Sequence, residues 1–366
     1  MMPKKLYKLS LLSILLLLMG SCSKQSNHNP VKIHPTTSEL SVIFLLGDGM
    51  GMAQLTAAWH VNQYLNMETF PYSGLLLTHS ADKFVTESAS SNTAMTSGYK
   101  TNYGFLGLDK YANPQESIYE YLKKKNYKTG IITSSFLADA TPAALFSHRE
   151  NRYEFEAIAM DYYHKQADFA VGGGQDHFEK RTDGINLLDS IQKQGTQVFY
   201  SLSQMTQIEQ TPALGMLYPG RPPYLSNGRS DYLYKATEKA LQLLDKQSFF
   251  LLVEGAQIDV AGHDNSLSDQ ITETLEFDRT VGLALRYAET HENVLVIVVS
   301  DHECGGLTLL QGEGMDYEHN YARDEHSGAA VPIFAYGPGA ENFSGLYDNS
   351  AVHEKLMRLL NQHFKN

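Results

Sequence analysis

Two kinds of apolar pattern alternate along this chain. Short, continuous hydrophobic runs occur at Ser41–Leu46 (SVIFLL), Thr129–Thr133 (TGIIT), Phe249–Val253 (FFLLV), Val294–Val299 (VLVIVV) and Val331–Tyr336 (VPIFAY). Runs of that length, without polar alternation, predict strands buried on both faces, as in a parallel sheet covered by helices. Between them the spacing turns helical over Pro114–Asn126, Tyr232–Lys246, Ser268–Glu289 and Ser350–Phe364. Asn113 is expected to cap the first of these helices, with Pro114 in its first turn. Residues 153–248 are expected to be the least regular part. No internal repeat and no Pro/Gly/Ser linker interrupts 41–366, which predicts one α/β domain with a central, mostly parallel sheet and helices on both faces.

The first residues follow a different logic. Lys4, Lys5 and Lys8 lead into an apolar run from Leu9 to Met19, broken only by Ser10 and Ser13, and then Gly20-Ser21-Cys22. A positive start, a short apolar stretch and small residues predict a signal peptide over 1–21. A Cys directly after them resembles a bacterial lipobox, so Cys22 is expected to carry the lipid and 22–40 to be a polar tether. The alternative is a plain signal peptide with Cys22 incidental. The expected location is outside the cytoplasm, membrane-anchored through Cys22, periplasmic or on the cell surface. No apolar run reaches the roughly 18 residues of a spanning helix.

Composition narrows the function classes. The 366 residues carry 29 Lys+Arg against 41 Asp+Glu, a net charge of −12, with no basic stripe. That balance argues against a nucleic-acid-binding module. A hydrophobic fraction of 42% excludes wholesale disorder. If Cys22 is acylated, Cys304 is the only remaining thiol and no intrachain disulfide is expected.

Candidate chemistry lies where the strands end. SVIFLL runs into Gly47-Asp48-Gly49-Met50-Gly51, and FFLLV into Glu254-Gly255-Ala256-Gln257-Ile258-Asp259 with His263 four residues on. VLVIVV runs into Ser300-Asp301-His302, and Asp324-Glu325-His326-Ser327-Gly328 precedes VPIFAY. Ligands of open parallel sheets bind beyond the carboxyl ends of the strands. Asp48, Glu254, Asp259 and Asp301 are therefore expected on one rim, where like charges repel unless cations intervene. A single Asp after a strand is commonly a helix cap; several such segments in one chain point to a site. Imidazole with carboxylate suits Zn²⁺, and an all-oxygen subset suits Mg²⁺.

Two further stretches add reactive and anion-binding groups. Thr86-Glu87-Ser88-Ala89-Ser90-Ser91-Asn92-Thr93-Ala94 is a small, hydroxyl-rich run expected to open a helix ending near Gly98. A helix start favours phosphate, and a serine there becomes a nucleophile if a metal lowers its pKa. Asp139-Ala140-Thr141-Pro142-Ala143-Ala144, followed by His148, Arg149 and Arg152, offers a hydroxyl and guanidinium forks for phosphate oxygens. The glycines at 47, 49 and 51 do not form G-x-G-x-x-G, and no P-loop is present. Gly172-Gly173-Gly174 is expected to be a strand-ending turn.

Together these segments resemble the alkaline phosphatases, over most of 41–340 and with six motifs in family order: Gly47–Gly51, Glu87–Ser91 through Thr101, Asp139–Ala144, Val253–Ala256 with Asp259 and His263, Asp301-His302, and Glu325–Gly328. The resemblance implies a metal-dependent phosphomonoesterase that forms a phosphoserine at Ser88, with Arg152 rather than Arg149 clamping the phosphate. It implies two Zn²⁺ and one Mg²⁺. Asp259, His263 and His326 would hold one Zn²⁺, and Asp301, His302 and Asp48 the other. Asp48 would bridge to Mg²⁺, completed by Thr141 and Glu254. Departures are visible. Glu87 stands where many members have Asp. Val260 stands where some have a Lys or a ring that helps hold phosphate, which leaves Asp139 without that partner. Cys304 stands where many have a His behind a zinc ligand. Only 23 residues separate His302 from His326, a reduced crown insertion that leaves monomer or homodimer open. Within the superfamily, phosphodiesterase or sulfatase activity is the alternative, although no Cys-x-Pro-x-Arg run is present. A metal-stabilised phosphate-binding lipoprotein is a third reading, and it predicts a lost nucleophile or ligand that this sequence does not show.

Overall fold

The computed structural model describes residues 39–363; the expected signal peptide, the Cys22 lipid site and nearly all of the tether lie outside the described residues. Strand β1 (Ser41–Gly47) is buried at every position. Its odd positions, Ile43 and Leu45, pack with Tyr232, Phe277 and Val281 on one face. Its even positions, Val42, Phe44 and Leu46, pack with Met95, Phe343 and Leu356 on the other. Both faces of the sheet are thus apolar and helix-covered, as an unalternating run requires. Each large side chain so buried contributes about 1.5–3 kcal/mol relative to exposure.

The other strands are β2 (Tyr72–Leu77), β3 (Lys128–Phe136), β4 (Phe169–Gly173), β5 (Gln197–Phe199), β6 (Ala213–Tyr218), β7 (Phe249–Gly255), β8 (Val294–Val299), β9 (Glu303–Cys304), β10 (Leu307–Gln311), β11 (Tyr317–Tyr321), β12 (His326–Ser327), β13 (Val331–Tyr336) and β14 (Gly345–Asp348). Ten of them form one sheet in the order β14-β2-β13-β8-β1-β7-β3-β4-β6-β5. Every neighbouring pair is parallel except those made by β13, which runs antiparallel to both β8 and β2. VPIFAY is therefore the one buried run that does not join the parallel set. Between β8 and β13 the crown is reduced to the β10–β11 hairpin and the short β9–β12 pair.

Two expectations are corrected. The helix expected over 114–126 runs over Ile118–Lys124. Ser117, with Glu120 reaching back to its N–H, forms a capping box that fixes the start. Upstream, Leu108 pairs with Pro114 and the Gln115 N–H donates to the Gly107 carbonyl, so 114–115 stay extended. Residues 153–248 are also more regular than expected, holding β4, β5, β6 and a helix at Phe155–Lys165 beside the expected one at Tyr232–Leu244. β4 ends in glycines and β5 has three residues, so neither shows a long apolar run. Gly174, at φ 88°, does close β4 as a turn. Among the described residues no helix is long and apolar enough to cross a membrane.

Candidate active site

The carboxyl edge of the parallel strands gathers the acids and histidines. Leu46 of β1 lies beside Glu254 of β7, and Glu254 beside Thr133 of β3. Asp48 and Asp301 leave the sheet one and two residues after β1 and β8. Gly49, at φ 70°, turns the chain so that its N–H donates to Asp301 Oδ1 at 3.2 Å. A Cβ there would sit 2.8 Å from the Asp259 backbone, so both the turn and the close approach require glycine. Asp259 and His263 share one turn of the helix Gln257–His263, the i,i+4 geometry expected of their spacing.

A cluster follows in which Asp259, His263, Cys304 and His326 each bring a potential ligand atom within 4.8 Å of the others. His263 Nε2 is 3.3 Å from one Asp259 oxygen, and His326 Nε2 3.4 Å from the other. A second cluster joins Asp48, Asp259 and His302 in the same way. His302 lies 3.3 Å from Asp48 and 3.5 Å from Asp301. Buried Asp48 Oδ1, Asp259 Oδ1 and His302 Nδ1 have no hydrogen-bond partner. Orphaned polar atoms of that kind, in a carboxylate–imidazole set, fit divalent cations.

The electrostatics agree. Burial, then Asp301 and Asp259, pushes the Asp48 carboxyl well above its ordinary range. Burial, then Asp139, pushes Glu254 up to about 8. Burial, then Asp259, pushes Asp301 to about 6. For Asp259 burial is outweighed by the neighbouring imidazoles of His263 and His326, and its carboxyl falls. In return Asp259 raises His263 to about 9. These acids cannot all be charged together without added positive charge.

The hydroxyl-rich run opens the helix Ser88–Ser97, buried along its length, which Gly98 ends as expected. Glu87 is its cap and accepts from the N–H groups of Ala89 at 2.8 Å and Ser90 at 2.7 Å. Ser88 Oγ lies 3.3 Å from His302 Nε2 and 3.4 Å from Asp48 Oδ2. Thr141 and Glu254 are buried at the same edge, and Asn92 donates to Thr141 Oγ1 at 3.0 Å and to Asp301 Oδ2 at 3.1 Å. Arg152 Nη1 meets Glu87 at 2.5 Å, so the extra methylene of Glu87 still reaches the guanidinium. Arg149 turns away, bidentate to Asp161.

All ten residues singled out from the sequence thus lie at this edge, and two others join them. Asn92 lies inside the hydroxyl-rich run, where nothing in the spacing distinguishes it from its neighbours. Arg221, which contacts Asp139 at 3.3 Å, follows β6, a strand not read from the sequence. A Lys-type partner is absent at Val260, and this guanidinium meets Asp139 instead.

Comparison with known proteins places this arrangement. The alkaline phosphatase family model matches residues 40–322. The alkaline phosphatase of Escherichia fergusonii is 31% identical, over 85% of this chain and 83% of that protein. The streptomycin-6-phosphate phosphatase of Streptomyces griseus is also 31% identical, over 85% of this chain and 88% of its own length. The alkaline phosphatase of the Antarctic bacterium TAB5 superposes with a TM-score of 0.85 at 34% identity, covering 89% of this chain and 99% of that one; a variant of that enzyme is described with magnesium bound. With a family model spanning most of the domain and the acid–histidine edge in place, the chain belongs to the alkaline phosphatase family of phosphoric monoester hydrolases.

Proposed function

We propose that the chain hydrolyses phosphate monoesters in two displacements through a phosphoserine at Ser88. The observation that carries this reading is the Ser88 hydroxyl, set at a buried helix start between His302 and Asp48. In the first step the Ser88 oxygen bonds to phosphorus as the ester oxygen leaves; in the second, water cleaves the phosphoserine and releases inorganic phosphate. Arg152, braced by Glu87 and Asp139, binds equatorial phosphate oxygens through its fork.

Asp259, His263 and His326 would hold one Zn²⁺, and Asp48, Asp301 and His302 the other. Asp48, Thr141 and Glu254 would hold Mg²⁺. Their orphaned ligand atoms and crowded acids support that assignment. When bound, such cations act as Lewis acids on the attacking and leaving oxygens of an in-line displacement. Cys304, buried beside the first set with its thiol pushed up by burial, packs as a small apolar residue behind the histidines.

Ser88→Ala tests the mechanism. Turnover of a nitrophenyl phosphate should fall on the order of 10³-fold or more while metal content stays unchanged. A near-native rate would remove Ser88 from the reaction. The matching diester and sulfate ester should turn over far more slowly than the monoester; faster diester cleavage would overturn the role given to Arg152. The start of the chain supports export with a lipid at Cys22, so Cys22→Ala should move the protein to the soluble fraction, and unchanged membrane association would refute the anchor.

A further inference from the structure

Asp139 divides its carboxylate between two guanidiniums. Its Oδ1 accepts from Arg152 Nη2 at 3.2 Å and from the Ala140 N–H at 2.9 Å. Its Oδ2 accepts from Arg221 Nη2 at 3.3 Å and from Ser135 Oγ at 2.6 Å. The charge count at this corner is informative. Arg152 alone faces two carboxylates, Glu87 and Asp139, and would leave a surplus negative charge beside a pocket meant for a dianion. Arg221 cancels that surplus.

The loop that carries Arg221 is held in place. Beyond β6 the Pro219 carbonyl accepts from the Asp176 N–H at 2.9 Å, and the Gly220 carbonyl from the Gly174 N–H at 3.0 Å. The Pro222 carbonyl accepts from buried Gln257 at 3.0 Å. A Cβ on Gly173 would lie 2.3 Å from the Gly220 oxygen, so glycine admits the loop. Pro222 and Pro223 restrict the backbone that follows. The guanidinium lies 5.6 Å from the Phe136 ring centroid, while its side chain stays 44% exposed. The arrangement is a cation on a stiff mount, held against Asp139.

We propose that Arg221 is a positioning residue for phosphate: by taking the second oxygen of Asp139 it offsets the negative charge beside Arg152 and so sets how tightly a phosphate dianion is held. The proposal rests on the reading of Arg152 as the phosphate clamp. It also gives this chain a different solution from a cation at position 260, since the charge arrives from the β6 loop.

The test uses the metal-loaded enzyme with Arg221→Ala, Arg221→Lys and Arg152→Ala, and inorganic phosphate as the probe. In Arg221→Ala, KM for a nitrophenyl phosphate and the inhibition constant for phosphate should rise in parallel by about threefold to tenfold, with kcat changing less. Arg221→Lys should recover most of the loss. In an Asp139→Asn background the effect of Arg221→Ala should shrink to less than about twofold, because the carboxylate it acts through has lost its charge. An unchanged phosphate inhibition constant in Arg221→Ala would overturn the proposal, as would a lowered melting temperature with no change in that constant. If Arg152→Ala also left phosphate inhibition unchanged, the clamp reading itself would fail; if only Arg152→Ala weakened it, Arg221 alone would be excluded.

Discussion

Two clusters of buried charge invite comparison. At the strand edge Asp48, Glu254, Asp259 and Asp301 crowd three histidines and leave ligand atoms unpaired. Behind the sheet, fully buried Arg229 meets Glu273 and Glu276 of the helix Leu267–Ala288 through a single nitrogen. The second cluster also leaves atoms unpaired, Arg229 Nε and Nη1 and Glu276 Oε1. Unpaired atoms by themselves therefore do not identify a site. The difference is charge balance: Arg229 is a built-in cation, and burial lifts Glu276 to about 7, so one acid takes up a proton near neutrality and the cluster balances itself. Among the described residues no Arg or Lys pairs with the four strand-edge acids, and with Glu254 at about 8 and His263 at about 9 the metal-free cluster balances only by holding protons that bound cations would displace.

Metal removal should break that contrast most strongly. A chelator that strips the cations should lower activity on the order of 10²-fold or more, and Zn²⁺ with Mg²⁺ should restore it. Activity that survives verified metal loss would refute the three-cation assignment. Stability should then acquire a pH slope. With Glu254 held near 8 against an ordinary 4.5, the folded metal-free chain keeps a proton that the unfolded chain has released, so stability falls as pH rises from about 4.5 to about 8. His263, near 9 against 6.5, adds stability that is complete below about 6.5 and lost as pH rises through about 9. Both slopes have the same sign. Bound cations keep these acids ionised and these imidazoles neutral, so the metal-loaded protein should lose that part of the slope, while the part from Glu276 remains. Melting curves against pH, with and without chelator, measure the difference.

The second cluster is tested by removing its cation. Arg229→Met leaves two buried carboxyls without their cation and should cost about 3–5 kcal/mol of stability, more at high pH than at pH 5. Metal content, read by elemental analysis of the folded fraction, should not change. Loss of metal along with stability would show that the two clusters act as one unit.

How much of this was legible follows from the same physics. β1, β7 and β8 are buried on both faces, so their runs are continuous and their ends, with Asp48, Glu254 and Asp301, could be read directly. β4 and β5 lie toward the sheet's margin and are glycine-rich or short, whereas β6 (ALGMLY) is an apolar run of six that the sequence reading does not include, and with it Arg221, three residues beyond its end. The direction of β13 was equally hidden, because a buried run looks alike whichever way it is paired. Asn113-Pro114 is a good cap pattern and points to an early helix start, while the local bond from Gln115 to Gly107 prevails in the folded chain and moves the start to Ile118.

Arg149 and Arg152 offer the finest version of the comparison, since they stand three residues apart with the same side chain. Arg152 meets Glu87 and Asp139 at the strand edge, and its Nε, buried, has no partner. Arg149 commits four of its five N–H donors to Asp161, Glu154 and the Ala157 carbonyl, partly exposed and facing away from the site. Arg152→Ala should therefore reduce kcat/KM about 10²-fold with a small change in melting temperature. Arg149→Ala should leave kcat/KM within about threefold and cost about 1 kcal/mol of stability, because a partly exposed bidentate pair is a modest structural tie. Equal kinetic losses in the two variants would mean that the His148–Arg152 loop works as one rigid body, with Arg149 holding Arg152 in place through the backbone.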